Sequence, residues 1–326
     1  MQVKINNPMF SVVMRTYNHE KYISQALDSI IEQEHNYTYE IIIGDDCSID
    51  NTRNILIEYK KKYPEIITLV FNVANLGLMK NFFNICNHCK GKYLMECADD
   101  YWLPERVKKQ IYYMENNPDV GMIYGKVKLW HEKQNKLKGQ GGSETITFPE
   151  LMRNNGITTQ TICIRNEIVK KYIEEINPYD KNWFYEDYPM WLWVAYNYKI
   201  IFISDYFATY RIIDGSGAHP RDIQGKLSIY DNIISIREYF SNYYKEQLYI
   251  NDLIYIKGNI LWDSKKCPSK KDYYLFMQII PASYFYGFKY YFNRLAYKSY
   301  LFFCLLYIFR KISISLVKIL IKIIKG

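Results

Sequence analysis

Two short apolar segments of this chain each end on a pair of adjacent aspartates. The segment "EIIIG" is followed by Asp45 and Asp46, and the segment "KYLMECA" is followed by Asp99 and Asp100. A short apolar run bounded by polar residues is typical of a buried strand. In open α/β sheets, ligands bind beyond the carboxyl ends of the parallel strands. Two carboxylate pairs at such strand ends therefore predict a ligand site at one edge of a sheet.

Strand and helix patterns alternate over the first 120 residues, which predicts a mostly parallel sheet with helices on both faces. The predicted strands are 10–14, 40–44, 66–71, 92–97, 121–130, 159–166, 199–204 and 207–212. We expect a polar loop with several glycines after residue 130, and a helix at 188–196. Long helical patterns follow residue 220. The chain is therefore predicted to have two domains, an α/β domain over residues 1–220 and a helical region over residues 221–326.

The formal net charge of +8 is concentrated at the C-terminal end. Eight Lys and Arg, and no acidic residue, follow Asp272, so that residues 1–272 are formally neutral. This distribution argues against a nucleic-acid partner and for one basic tail. The seven Cys are scattered and the chain begins without a secretory signal pattern, which favours reduced thiols in a cytoplasmic protein.

The basic tail has the pattern of a helix that lies on a membrane. Residues 299–309 are apolar but fewer than the about 20 needed to span a bilayer. Residues 310–326 place lysines along one helical face and apolar residues elsewhere. A basic amphipathic helix without acidic residues is typical of an interfacial anchor on anionic lipid. The alternative is a helix that packs on the catalytic domain or on a second subunit.

Five motifs follow one another between residues 10 and 217. They are "SVVMRTYNHEKY", "YEIIIGDDCSIDNT", "NLG", "GKYLMECADDYWLPERV" and "FYEDYPMWLW". In this order and spacing they resemble the inverting family 2 glycosyltransferases. The resemblance implies a GT-A fold, which is a mixed, mostly parallel sheet flanked by helices, here with a C-terminal helical extension. It also implies a nucleotide-diphosphate-sugar donor and a divalent metal, Mn²⁺ or Mg²⁺.

The resemblance assigns the donor to the carboxyl ends of the first strands. The predicted nucleotide-sugar-binding residues are Thr16, Tyr17, Asn18, Asp46, Asp99 and Arg211. Tyr17 would stack on the base or cover the ribose, and Asp46 would accept a hydrogen bond from a base N–H. Asp45 would instead face inward or cap the following turn. Arg211 suits phosphate because its planar guanidinium donates paired hydrogen bonds.

Asp99 and Asp100 are the predicted metal ligands, with His219 as a further ligand. Hard cations prefer oxygen ligands, and Mg²⁺ commonly uses one or two carboxylates together with substrate phosphates. Such a cation would neutralise the diphosphate leaving group. The common family pattern is Asp-x-Asp-Asp, whereas this chain has Cys97 at the first position. Either Asp99 and Asp100 suffice, or the metal site is weaker.

Asp187, in "FYEDYPMW", is the predicted catalytic base. Inversion requires a carboxylate that removes the proton of the acceptor hydroxyl while its oxygen attacks the anomeric carbon. The resemblance places this base in an acidic pair at the start of a helix, and Glu186 is the competing assignment. By the same resemblance, Thr158, Thr159 and Gln160 would line the acceptor side.

The predicted function is that of a membrane-associated inverting glycosyltransferase. It would move a hexosyl or N-acetylhexosaminyl group from a UDP-sugar to a lipid-linked glycan in capsule or O-antigen synthesis of the bacterial type. We expect it in the cytoplasm, peripheral on the inner face of the plasma membrane. A sugar nucleotidyltransferase would be expected to carry a glycine-rich loop after the first strand, and "RTYNHEKY" has no glycine. A non-catalytic, membrane-bound assembly protein on a transferase scaffold stays open because of Cys97.

Overall fold

A computed structural model of the chain describes residues 7–213, 215–216, 219–220, 222–249 and 253, which form nine strands and eight α-helices. The strands are β1 (Phe10–Thr16), β2 (Tyr39–Asp45), β3 (Ile67–Phe71), β4 (Tyr93–Cys97), β5 (Tyr101–Trp102), β6 (Val120–His131), β7 (Lys136–Gly141), β8 (Cys163–Arg165) and β9 (Lys199–Ile212). The helices are α1 (Ile23–Ile31), α2 (Thr52–Lys62), α3 (Leu78–Cys86), α4 (Arg106–Asn116), α5 (Phe148–Arg153), α6 (Asn166–Ile176), α7 (Asp187–Asn197) and α8 (Ile223–Tyr244).

All nine strands belong to one mixed sheet. Its order is β3-β2-β1-β4-β8-β6-β9-β5, and β7 pairs with β6 beside this path. The first four strands are parallel, with β1 between β2 and β4. Strand β8 is antiparallel to β4 and β6, while β9 runs parallel to β6 and antiparallel to β5. The carboxyl ends of β1, β2 and β4 therefore meet at one edge, because Thr16 is paired with Asp45 and Met14 with Cys97.

Helices cover both faces of the sheet, as the alternating pattern predicts. On one face, α1, α2 and α4 pack on the parallel strands around a hydrophobic core. That core includes Phe10, Val12, Met14, Ile23, Leu27, Ile43, Leu56, Met95, Ile111 and Met114. On the other face α3 lies directly on β2, because a Cβ atom at Gly44 would come within 2.5 Å of the Asn81 and Ile85 side chains. This mixed α/β architecture agrees with the predicted fold class.

The second half of the sheet differs in detail from the sequence prediction. The glycine-containing segment after residue 130, predicted as a loop, includes β7, which forms a hairpin with β6. Both faces of β7 are exposed, so its sequence lacks the apolar alternation that marks a strand. The two strands predicted at 199–204 and 207–212 are one strand, β9. Its polar, exposed middle interrupts the apolar pattern but not the pairing with β6.

The predicted strand at 159–166 is also only partly a strand. Thr159–Thr161 is a single 3-10 turn, and the strand is limited to Cys163–Arg165. The Thr161 hydroxyl donates to the carbonyl oxygen of Thr158 at 2.8 Å. Threonine side chains that bond to nearby backbone groups favour turns over ladder pairing. This turn becomes important because it lies against the predicted base.

The chain divides into two compact units. One comprises Met1–Ser216 with Glu238–Leu248, and the other Gly217–Arg237 with Tyr249–Gly326. The predicted domain boundary at residue 220 stays a prediction. The predicted amphipathic tail, residues 310–326, lies outside the described residues. Within the described ranges, no helix combines the length and apolar character that crossing a membrane requires.

Candidate active site

The turn after β1 is fastened to the loop after β2. Asn18 has a positive φ of 56°, donates its N–H to Ser48 Oγ at 2.9 Å, and accepts from the Ile49 N–H through Oδ1 at 3.0 Å. Thr16 is buried at the end of β1. Tyr17 is 43% exposed, so its ring can contact a ligand at this edge. The three residues predicted to bind nucleotide thus form one tightly held turn with a single accessible aromatic ring.

Asp46 holds a second loop in place at the same edge. It is only 3% exposed, and its Oδ1 accepts from the Leu76 N–H at 2.7 Å and from Asn72 Nδ2 at 2.9 Å. Its Oδ2 accepts from the Gly77 N–H at 2.9 Å. A carboxylate oxygen can accept two hydrogen bonds, so Oδ2 retains one position for a donor such as a base N–H. The "NLG" motif is therefore explained by its contact with Asp46.

Asp45 has a different role from its neighbour. Its side chain is fully buried, and Oδ2 accepts from the Ser48 N–H at 3.1 Å and from Arg53 Nε at 2.5 Å. Arg53 also donates to the carbonyl oxygen of Asn72 at 2.7 Å. Of the two aspartates, Asp45 therefore faces inward and stabilises the turn, and the predicted contact of Asp46 with the base stays a prediction.

Asp99 and Asp100 lie on the turn between β4 and β5, where Arg211 holds them. The Arg211 N–H donates to Asp100 Oδ1 at 2.7 Å, and Arg211 Nε donates to the Asp99 carbonyl oxygen at 2.7 Å. The remaining guanidinium nitrogens pair with Glu132 and Gln25. Arg211 is buried, so in this structure it shapes the Asp99–Asp100 turn from the protein side. Its predicted contact with the diphosphate stays a prediction.

The chemistry of this turn fits a hard divalent cation. Burial, together with the charge of adjacent Asp99, raises the pKa of the Asp100 carboxyl well above its usual range. A cation beside the two carboxylates would favour their charged forms. In the described part of the chain, no group of three or more His, Cys, Asp or Glu side chains converges as a metal cage. His219, the third predicted ligand, is half-buried and belongs to the second unit.

Cys97 replaces the first Asp of the family pattern and is part of the hydrophobic core. Its side chain is 1% exposed, and Sγ lies 3.5 Å from the Asp100 carbonyl oxygen. Burial raises the pKa of the Cys97 thiol, which keeps it neutral. The residue therefore supports the Asp99–Asp100 turn from beneath. In this structure the two following aspartates supply the carboxylates of that turn.

Asp187 is the first residue of α7 and is half-buried. Its Oδ2 accepts from Thr159 Oγ1 at 2.5 Å, and its Oδ1 accepts from the Tyr188 N–H at 2.6 Å. The positive end of a helix dipole favours a carboxylate at this position. Each carboxylate oxygen retains a further acceptor position. Asp187 is thus an oriented carboxylate with acceptor positions left for a further hydrogen-bond donor.

The turn that carries Thr159 is itself clamped by α4. Arg106 and Gln110, one helical turn apart, donate to three successive backbone carbonyls. These belong to Gln160 at 2.5 Å, Thr161 at 2.7 Å and Ile162 at 3.1 Å. Arg106 is fully buried, and burial lowers the pKa of its guanidinium to about 9. A buried cation that donates to carbonyls at these positions fixes where Thr159 meets Asp187.

Glu186, the competing base assignment, is committed inside the protein. It is 1% exposed and forms an ion pair with Arg15, which also pairs with Glu96 at 2.7 Å. The sequence alone assigns no role to Arg15, Glu96 or Arg106. For Arg15 and Glu96, the one available signal in the sequence is a charged residue within an apolar strand, because such a residue is rarely buried without a partner.

Glu96 should make the stability of the protein depend on pH. Burial raises the pKa of Glu96 from 4.5 to about 7, more than Arg15 lowers it. A pKa that is higher in the folded state contributes stability that is complete below the unfolded pKa of 4.5 and lost as the pH rises through about 7. Glutamine does not titrate, so Glu96→Gln lacks this pH dependence. We therefore expect the free energy of unfolding of the variant, minus that of wild type, to increase by about 2–3 kcal/mol from about pH 5 to about pH 8.

Chemical denaturation of both proteins at the two pH values measures this difference. The absolute stability of the variant is not the readout, because the amide also changes the contact with Arg15. A difference between variant and wild type that stays constant over the pH range would contradict the assignment to Glu96.

Several known proteins are similar to this chain in sequence. The sequence profile described as glycosyl transferase family 2 matches residues 11–175. An uncharacterized glycosyltransferase of Methanocaldococcus jannaschii is 32% identical over 217 residues, which cover 64% of this chain and 72% of that protein. The Escherichia coli enzyme UDP-Glc:alpha-D-GlcNAc-diphosphoundecaprenol beta-1,3-glucosyltransferase WfgD is 24% identical over 213 residues, covering 64% and 79%. Against uncharacterized mycobacterial relatives, the chain is 31% identical over 160 residues, 48% of its length, and spans only 44% of theirs.

Solved structures share the fold at low sequence identity. The structure of S. aureus TarS 1-349 in complex with UDP-GlcNAc has a TM-score of 0.57 and 18% identity, covering 84% of this chain and 82% of that one. The mannosyltransferase PcManGT from Pyrobaculum calidifontis, in complex with GDP-Man and Mn²⁺, has a TM-score of 0.53 and 13% identity, covering 90% and 85%. These likenesses confirm the predicted GT-A-type fold.

Proposed function

Because this chain belongs to glycosyl transferase family 2, we propose that it moves one sugar from a UDP-sugar to a hydroxyl group of a lipid-linked glycan, with inversion. The observation that carries this proposal is the placement of Asp187, half-buried at the start of α7 and oriented by Thr159. Glu186 is paired with Arg15, so Asp187 is the carboxylate of the pair that remains for chemistry.

The proposed donor is supported by the loops that follow β1 and β2 and by the relatives. TarS is solved with UDP-GlcNAc, and WfgD is named for the transfer of glucose from UDP-Glc. These names support a UDP-sugar of the hexosyl or N-acetylhexosaminyl type for this chain. Tyr17 offers an exposed ring for the base, and Asp46 Oδ2 has an acceptor position for its N–H.

Asp99 and Asp100 would hold Mn²⁺ or Mg²⁺ beside the donor diphosphate. When bound, such a cation neutralises the charge that develops on the leaving group. The Mn²⁺ in the complex of the Pyrobaculum calidifontis mannosyltransferase supports a metal in this chain. The chain's own part is to keep two carboxylates on one turn, which Arg211 does through its N–H and its Nε.

Asp187 would act on the acceptor. It removes the proton from the acceptor hydroxyl as that oxygen attacks the anomeric carbon, on the face opposite the departing diphosphate. Thr159 donates to Oδ2 and the Tyr188 N–H to Oδ1, so the carboxylate is oriented before the acceptor arrives. Preorganisation of this kind lowers the entropic cost of reaching the reactive geometry.

The acceptor and the location are proposed from the relatives and from the tail. WfgD is named for an acceptor on diphosphoundecaprenol, which supports a lipid-linked glycan in polysaccharide synthesis of the capsule or O-antigen type. The basic, acid-free sequence after Asp272 supports a peripheral position on the inner, cytoplasmic face of the plasma membrane.

A donor-hydrolysis assay tests the proposed function. Release of nucleoside diphosphate is measured for UDP-, GDP- and dTDP-sugars with Mn²⁺ or Mg²⁺, together with calorimetric binding of each donor. We expect slow hydrolysis of one UDP-sugar that requires the metal. If the protein bound and hydrolysed no nucleotide sugar, it would be a non-catalytic assembly protein instead, and hydrolysis of a GDP- or dTDP-sugar alone would correct the donor class.

A further inference from the structure

We propose, on the basis of the proposed transferase function, that Arg15 is a positioning residue that fixes Asp187 relative to the donor site. Arg15 is the penultimate residue of β1. Its guanidinium reaches Glu96 at the end of β4 and Glu186 at the start of α7. Among the described residues, its side chain forms ion pairs with Glu96 and Glu186 and none with Asp187, so that its effect on the base passes through Glu186.

The Arg15 guanidinium lies between two buried carboxylates. Nη2 is 2.7 Å from Glu96 Oε1, and Nη1 forms an ion pair with Glu186 Oε1. The exposed fractions of the three side chains are 15% for Arg15, 3% for Glu96 and 2% for Glu186. The guanidinium also lies 5.8 Å from the ring centroid of Phe82 on α3. A planar guanidinium can serve two carboxylates at once, which a single ammonium group cannot do in the same geometry.

Both carboxylates depend on this one cation. In the described residues, Glu96 Oε2 and Glu186 Oε2 are buried and lack a hydrogen-bond partner. Without Arg15 both carboxyl groups would stay buried and lose the cation that they share, which is strongly unfavourable. The start of α7 would then move away from the sheet. Because Glu186 directly precedes Asp187, the base would move with it.

One guanidinium therefore connects the three parts of the candidate site. Arg15 directly precedes Thr16 in the turn predicted to bind nucleotide. Glu96 lies on β4, immediately before the turn with Asp99 and Asp100, and Glu186 lies beside Asp187. The groups that bind the donor, hold the metal and activate the acceptor must be aligned within a fraction of an ångström for an in-line attack. The shared ion pair provides such an alignment from inside the protein.

The expected effect is on turnover rather than on donor binding. A shift of about 1 Å in a reacting group costs on the order of 100-fold in rate. We expect Glu186→Ala to lower kcat for donor hydrolysis by about that factor, with the KM for donor within about twofold of wild type. Arg15→Lys should lower kcat about tenfold or more, because one ammonium cannot bridge both carboxylates.

Glu186→Gln distinguishes positioning from direct proton transfer. The amide oxygen still accepts from Arg15, so we expect kcat to stay within about threefold of wild type. If Glu186 were itself the base, Gln and Ala would be equally inactive, and the positioning role would be overturned. Arg165→Lys is the matched control, because Arg165 bonds to the carbonyl oxygens of Val120, Met114 and Asn117 at the opposite end of β4.

The experiment measures kcat, donor KM and Tm for the full chain and the four variants, and UDP binding by calorimetry. A lower Tm with unchanged kcat for Arg15→Lys and Glu186→Ala, as expected for Arg165→Lys, would reduce Arg15 to a structural residue and overturn the inference. This outcome differs from failure of the proposed function, because in that case the wild-type protein itself would hydrolyse no donor. Should Arg15→Lys not fold, Glu186→Ala and Glu186→Gln decide the question alone.

Discussion

We expect Asp187→Asn to lower the rate of sugar transfer about 10³-fold while leaving donor binding unchanged. General-base catalysis contributes about 10²–10⁴-fold to enzymatic rates, and an amide cannot accept the proton. Asparagine has the same shape as aspartate; its Oδ1 can accept from the Tyr188 N–H, and its Nδ2 can donate to the Thr159 hydroxyl, which lies 2.5 Å from Asp187 Oδ2 in the wild type. The variant therefore removes the proton acceptor with little change in structure.

Single-turnover kinetics with the donor identified by hydrolysis would measure this effect, with donor affinity from calorimetry. Thr159→Val provides a graded comparison, because it removes one of the two hydrogen bonds that orient Asp187 and keeps the one from the Tyr188 N–H. Its rate should fall about tenfold, between wild type and Asp187→Asn. Turnover of Asp187→Asn at the wild-type rate would exclude Asp187 as the base.

Asp99→Ala is expected to remove most of the stimulation by Mn²⁺ or Mg²⁺, with kcat/KM reduced by about 10²–10³-fold. The loss arises because one of two carboxylates that would hold the cation is missing. Only the Asp99 carbonyl oxygen, and not its side chain, accepts from Arg211. The alanine variant therefore keeps the turn and removes the ligand.

A metal titration of donor hydrolysis tests this expectation. Asp205→Ala is the matched control, since Asp205 is a half-exposed aspartate on β9 that forms an ion pair with Lys109 at 2.9 Å. It should hydrolyse donor as wild type does. Equal activity of Asp99→Ala and wild type at every metal concentration would rule out a metal site at this turn.

The edge of the sheet could be predicted from the sequence because its signals are local. Strands β1, β2 and β4 are apolar runs that give way to polar residues, and the two aspartate pairs lie at the ends of β2 and β4. The carboxyl ends of neighbouring parallel strands lie at the same edge of the sheet, so this prediction requires no knowledge of contacts between distant segments. The family resemblance placed Asp187 at the start of a helix, and it is the first residue of α7.

Contacts between distant segments could not be predicted in this way. Arg15 reaches Glu186, and Arg106 reaches the carbonyl of Gln160, across long separations in the chain. Nothing in the local pattern says which carboxylate a buried arginine will meet. The 3-10 turn at Thr159–Thr161 was missed for a related reason, because its shape depends on bonds to α4 and β6.

The hydrogen bond from Arg211 to Asp100 joins residues 111 positions apart, and this separation has a consequence for biosynthesis. Protein chains are made from the N-terminus, and contacts with a large sequence separation form late in folding. The first four parallel strands can pair while β9 is still being translated. The turn with Asp99 and Asp100 reaches its described shape only after residue 211 has left the ribosome. A nascent chain thus gains the predicted nucleotide loops first and the Asp99–Asp100 turn in its described shape last, so a translation product that ends before Arg211 would lack the bond that shapes this turn.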